Sequence, residues 1–180
     1  MKNSLVEQTM QRKKYIMKSF HESGKQHLLI TGNKKSGKTT VLNEILKDVS
    51  SYGGIITYAI RDDKHPPKCV VLSDINHPDI NGVIAIRNEA GTSLLPQLDT
   101  FDQLGVNILS KYYQSSDELI VIDEIGFLES NAFHYQDEIL KCFDKKVIAT
   151  IRKELNAFTE KLTQRQDVYL VDIDHIDLSN

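Results

Sequence analysis

The 180-residue sequence predicts an α/β fold, a mostly parallel sheet flanked by helices and carrying an antiparallel β-hairpin insertion. Short apolar runs alternate with segments of helical period. The residues GNKKSGKT, Gly32 to Thr39, match the phosphate-binding loop G-x-x-x-x-G-K-[ST] and stand between such a run and such a segment. Three β-rich runs between residues 53 and 89 are too close together for crossover helices, so at least two of them must pair antiparallel.

In chain order, residues 1–24 place Leu5, Val6, Met10, Ile16, Met17 and Phe20 at loosely helical intervals before Gly24, which predicts a helix packed onto the domain. Its cluster Arg12, Lys13 and Lys14 reads as a solvated face rather than a nucleic-acid or lipid patch. HLLIT at 27–31 is the first strand. A helix begins at Thr39, repeats Val41, Leu42, Ile45 and Leu46 at helical spacing, and is closed by Ser50 to Gly54. GGIITYAIR at 53–61, KCVVLSDI at 68–75 and NGVIAIRNE at 81–89 are strands separated by the breakers Pro66-Pro67 and His77-Pro78.

A loop containing Gly91 and Pro96 leads into a helix of about 99–114. Phe101, Leu104, Ile108, Leu109 and Tyr112 form its apolar face, and Asp99 or Thr100 would be its N-cap. The unbroken run LIVI at 119–122 reads as a parallel strand buried on both faces. A helix around 130–143, a strand at 146–151, a helix around 153–163 and a strand at 168–173 complete the pattern. The length suits one domain over 1–180, with 1–24 as an N-terminal helical extension.

A net charge of -3 with interspersed signs gives no overall field that points to nucleic acid or an anionic membrane. Cys69 and Cys142 lie in apolar runs without metal-like spacing and read as reduced core thiols. The N-terminus has no signal-like apolar stretch and no run is long enough to cross a bilayer, so a cytoplasmic protein is expected. No histidine sits at ligand spacing with another His, Cys or acid, and seven tyrosines without tryptophan form no evident base-stacking platform.

The chemistry starts at the loop. Backbone amides from Asn33 through Lys34, Lys35, Ser36 and Gly37 to Lys38 can curl around phosphates at a helix N-terminus, and Gly32 and Gly37 tolerate the sharp backbone. Lys38 supplies charge to the terminal phosphates, the Thr39 hydroxyl is placed to ligate Mg2+, and Thr40 completes the binding set. LIVIDE at 119–124 ends a buried strand in two acids, at the sheet edge that opens on the ligand crevice. There Asp123 would hold the magnesium and Glu124 would orient and polarise the attacking water. Arg152 follows the strand 146–151 at the same edge, where a cation could stabilise charge developing on the transferred phosphoryl group, with Lys153 a weaker counterpart. Arg61, beside Asp62 and Asp63, reads as part of a charged hairpin turn.

The combination of TGNKKSGKTT, GGIITYAIR, LIVIDEIGFLE and KVIATIRK, spread over residues 27–178, resembles the small nucleoside-triphosphatases whose vertebrate member is called cancer-related nucleoside-triphosphatase. The most specific element is Asp123-Glu124-Ile125-Gly126 with Glu129, which matches that family's D-E-I-G-x-x-E. The resemblance implies a P-loop fold with a RecA-like sheet and slow, magnesium-dependent hydrolysis of nucleoside triphosphates, ATP or GTP among them, with broad base preference. Lys38, Thr39 and Asp123 then carry over as nucleotide and magnesium ligands and Glu124 as the water-activating acid; Gly126 and Glu129 carry over as pattern positions. Departures fall at Lys34 and Lys35, where the family loop G-x-P-G-x-G-K-T has proline and glycine, at Ala59, where its strand motif has an acid, and at His175-Ile176, where an Asn-Arg pair is usual. They bear on base recognition and rate. A nucleotide-operated interaction module with negligible turnover and a small-molecule kinase are the competing readings; the latter would want an arginine-rich lid, and only Arg61 and Arg87 lie between the two motifs.

Overall fold

The computed structural model describes residues 2–61 and 67–177. Its strands β1 (His27–Thr31), β2 (Tyr52–Ile60), β3 (Cys69–Asp74), β4 (Asn81–Arg87), β5 (Leu94–Pro96), β6 (Leu119–Ile125), β7 (Lys146–Ile151) and β8 (Val168–Asp172) form one eight-stranded sheet in the order β5-β4-β3-β2-β6-β7-β1-β8. The run from β2 through β6, β7 and β1 to β8 is parallel, while β2, β3, β4 and β5 pair antiparallel. The expected insertion is therefore a meander at one side of a parallel sheet.

Successive strand residues point to opposite faces, and the core divides accordingly. Leu28 and Ile30 of β1, Val121 of β6 and Ile148 of β7 pack with Ile16 and Phe20 of α1 (Lys2–Ser23) and with Val41, Leu42 and Ile45 of α2 (Lys38–Leu46). Leu29, Ile120, Ile122 and Ala149 face the other layer. There they meet Ile108, Leu109 and Tyr112 of α4 (Val106–Gln114), Ile139 of α5 (Phe133–Cys142) and Leu162 of α6 (Ala157–Thr163). Both faces of β1, β6 and β7 are thus covered, which is why their sequences are continuously apolar.

Several boundaries differ from the sequence reading for identifiable reasons. β5 has only three residues, too short to show a period, and Pro96 is tolerated because it ends an edge strand. The helix expected from 99 starts at Leu98 as α3 (Leu98–Thr100) and passes through a π-helical segment, Phe101–Gly105, before α4; its N-cap is Gln97, so neither Asp99 nor Thr100 caps it. α5 begins at Phe133, and α6 begins only at Ala157 because Asn156 caps it from outside. A 3-10 turn, Ile173–His175, follows β8. Cys142 is buried as expected, but Cys69 is only half-buried; both are free thiols.

The basic cluster of α1 is not uniformly a solvated face. Arg12 donates to the Ser36 carbonyl at 3.0 Å, and Lys13, its side chain 13% exposed, pairs with Asp48 at 2.8 Å; of the three, Lys14 alone is exposed. Pro66, Asp62 and Asp63 lie outside the described residues. No helix among the described residues is long and apolar enough to cross a membrane.

Candidate active site

The strand order sets the site. β7 lies between β1 and β6, so the loop leaving β1 and the acids ending β6 are separated by one strand, and the side chain at the matching level of β7 is Thr150, paired in register with Ile30. The Thr150 hydroxyl donates to Asp123 Oδ1. Asp123 is 2% exposed; burial pushes its carboxyl above the ordinary range, against the lowering effect of hydrogen bonds from Thr150 and Thr39. A hydroxyl and a carboxylate thus meet at the start of α2. Both are hard oxygen donors, and such a pair suits a small divalent cation whose remaining ligands are water and phosphate.

The sheet loosens where the acids sit. The β6 to β7 ladder slips between Ile122 and Ile125, and the Asp123-Glu124 peptide is cis. The Glu124 amide donates instead to the Thr57 hydroxyl of β2 at 3.2 Å. The Glu124 carboxylate is held by Arg152 Nε at 2.7 Å and lies 3.4 Å from Lys38 Nζ, so the three residues expected to act on the phosphoryl group converge. Arg152 also lies over the Phe127 ring, 4.7 Å from its centroid, and its aliphatic stem occupies the space beside Gly126 where a β-carbon would stand.

The loop itself is tightly tied. Lys38 Nζ donates to the carbonyls of Gly32 at 3.0 Å and Asn33 at 3.2 Å, closing the loop on itself. The Asn33 amide donates to Asp174 Oδ2 at 2.6 Å and the Ser36 amide to the Asn33 carbonyl at 3.1 Å, so these two amides have protein partners. A β-carbon on Gly32 would stand 2.9 Å from Ile173 in the turn after β8, a close approach only glycine permits. Lys35, at φ 65, is the one described non-glycine residue in a left-handed conformation.

Glu124 lies where three cavities meet. One is lined by Lys35, Ser36, Gly37, Lys38, Thr39 and Thr40; a second includes Gly32, Lys34, Lys38, Arg152 and Lys153; the third includes Thr39, Asp123, Glu129 and Arg152 with apolar Ala59 and Phe127. Lys153 turns its ammonium to Asp172 at 2.9 Å and Asp174 at 3.4 Å rather than to Glu124. Arg61 is exposed at the end of β2 and lines none of these cavities, and Arg87 is occupied by the carbonyls of Pro67 and Gly91.

Glu129 is 3% exposed and its Oε1 accepts the Gly126 amide. Burial pushes its carboxyl up to about 7. Asn156 Nδ2 donates to the Gly126 carbonyl at 2.7 Å, so both polar groups of Gly126 are fixed by side chains. The sequence by itself assigns no role to Thr57, Thr150 or Asn156. The available signal was polarity in the wrong place: Thr150 interrupts the apolar run KVIATI, and Thr57 the run GGIITYAI.

Comparison with known proteins agrees with this geometry. A family model described as NTPase matches residues 27–178. The nucleoside-triphosphatases THEP1 of Thermotoga sp. (strain RQ2) and Thermotoga maritima are each 30% identical over 152 residues, covering 81% of this chain and 85% of theirs. The crystal structure of THEP1 from Aquifex aeolicus superposes with a TM-score of 0.67 at 18% identity, covering 82% of this chain and 89% of that one, which shows a shared fold. The chain belongs to the NTPase family.

Proposed function

We propose that this member of the NTPase family hydrolyses nucleoside 5'-triphosphates to diphosphate and phosphate, depends on magnesium and accepts several bases. The observation that carries this reading is the convergence of Lys38, Glu124 and Arg152 at the junction of the loop cavities. The loop from Gly32 to Thr40 binds the polyphosphate through Lys38 and amides other than those of Asn33 and Ser36, which have protein partners, and such contacts are common to all nucleoside triphosphates. Thr39 and Asp123 would hold the metal, which when bound would supply positive charge to the polyphosphate.

A water beside Glu124 attacks the γ-phosphorus in line as the bond to the bridging oxygen breaks. The water's proton passes to the Glu124 carboxylate and on to solvent, and the diphosphate leaves with the bridging oxygen. Arg152, already bonded to Glu124, fixes the carboxylate and brings positive charge to the oxygens of the transferring group. We take residues 1–180 as one P-loop domain with an N-terminal helical extension. The free thiols fit a reducing compartment such as the cytoplasm.

Glu124→Gln separates binding from chemistry. The amide keeps the shape and loses the proton acceptor, so nucleotide affinity should remain while kcat falls by about 10²–10⁴. Full hydrolysis by that variant would remove Glu124 from the mechanism.

A further inference from the structure

Helix α1 lies outside the family match, which begins at residue 27, yet it reaches the phosphate loop. Ile16 and Phe20 bury against Val41, Leu42 and Ile45 of α2, and Lys13 pairs with Asp48 beyond the end of α2, so α1 is docked at two separate points. That docking delivers Arg12. Its Nη1 donates to the Ser36 carbonyl at 3.0 Å and lies 3.6 Å from where a β-carbon on Gly37 would stand. Arg12 lines neither of the two cavities around the loop.

A trans peptide is planar, with its C=O and N–H pointing in opposite directions. Holding the Ser36 carbonyl toward Arg12 therefore turns the Gly37 amide away from α1. The adjoining residue Lys35 sits at φ 65, a conformation that L side chains resist, so this part of the loop needs a restraint from outside. A guanidinium one peptide away also adds positive potential where a polyphosphate binds.

We propose that Arg12 is a positioning residue for nucleotide binding, which acts through the Ser36-Gly37 peptide to hold the loop amides in their binding orientation. This rests on the loop being the triphosphate site. It makes α1 a strut of the active site rather than an appended helix, and it predicts a defect in binding more than in chemistry.

The test uses the full chain and the variants Arg12→Ala, Arg12→Lys and Lys13→Ala. ATP affinity with magnesium is measured by calorimetric titration, KM and kcat by phosphate release, and folding by thermal unfolding. Loss of a charge-assisted hydrogen bond should raise Kd and KM of Arg12→Ala about tenfold. Its kcat should stay within about threefold, because the lost contact is made in ground state and transition state alike. Arg12→Lys, which keeps a charged donor, should recover part of the affinity, and Lys13→Ala should bind as the parent does. Should Arg12→Ala fail to fold, Arg12→Gln is read by the same KM criterion. Unchanged Kd and KM in the Arg12 variants, or equal losses in Arg12→Ala and Lys13→Ala that follow their unfolding temperatures, would overturn the proposal. A parent protein that neither binds nor hydrolyses ATP would instead overturn the reading of the loop.

Discussion

Lys35 adopts φ 65 where the family resemblance places a glycine, so the loop stores a local backbone cost that its sequence does not need for phosphate contact. Lys35→Gly should raise unfolding free energy by up to about 1 kcal/mol, the left-handed penalty less glycine's extra chain entropy, measurable by urea denaturation. Glu129 makes a second prediction. Glu124, Arg152 and Tyr135 are the ionisable groups that act on it, yet burial dominates and raises its pKa from 4.5 to about 7. The folded state then binds more protons than the unfolded state between those values, so this group makes stability fall as pH rises from about 4.5 through about 7. Glu129→Gln keeps an acceptor for the Gly126 amide and removes the titration. Unfolding temperatures measured from pH 5 to pH 8 should decline more in the parent than in the variant. At this scale the loop is legible because G-x-x-x-x-G-K-[ST] is a fixed-spacing pattern, and the acid pair because it ends an apolar strand run. Thr57 and Thr150 are not, because a threonine is an ordinary strand residue until its neighbour in the sheet is known.

Asn156 shows how an element boundary serves the site. Its side-chain oxygen accepts from the amides of Phe158 and Thr159 while Nδ2 donates to the Gly126 carbonyl and to Ser130 Oγ at 3.0 Å. One side chain therefore starts α6 and braces the turn after β6. Asn156→Ala should destabilise the protein by about 2 kcal/mol, the cap plus a buried carbonyl left unpaired, as read from denaturant midpoints. It should also lower kcat by loosening Gly126 under Arg152. The sequence placed this helix near residue 153 because its capping box ends in Thr159 rather than the usual acid or glutamine, which hides the start signal. β7, by contrast, keeps its sequence bounds of 146–151, because the apolar run stops at the charged Arg152. β5 left no such mark.

Across the whole molecule, the decisive arrangement is β7 threaded between β1 and β6, which spaces the loop from the acids and supplies Thr150 to hold Asp123. Periodicity names strands without naming their neighbours, so this order is not readable from the chain beyond the family resemblance. Antiparallel pairing in the insertion is legible from short intervals alone, because a parallel crossover needs more chain than those intervals contain, whereas the extension of the hairpin to a meander through β5 is not. The α1 contact is not legible in the sequence, because Arg12 and Ser36 are 24 residues apart and only the packing of α1 on α2 joins them. The most direct test of the account is phosphate release from ATP, GTP, CTP and UTP, with magnesium or with excess EDTA, using Lys38→Ala as the blank. Magnesium-dependent release from all four, abolished in Lys38→Ala, is the predicted result. Release that survives EDTA or the loss of Lys38, or no release by the intact chain, would contradict it.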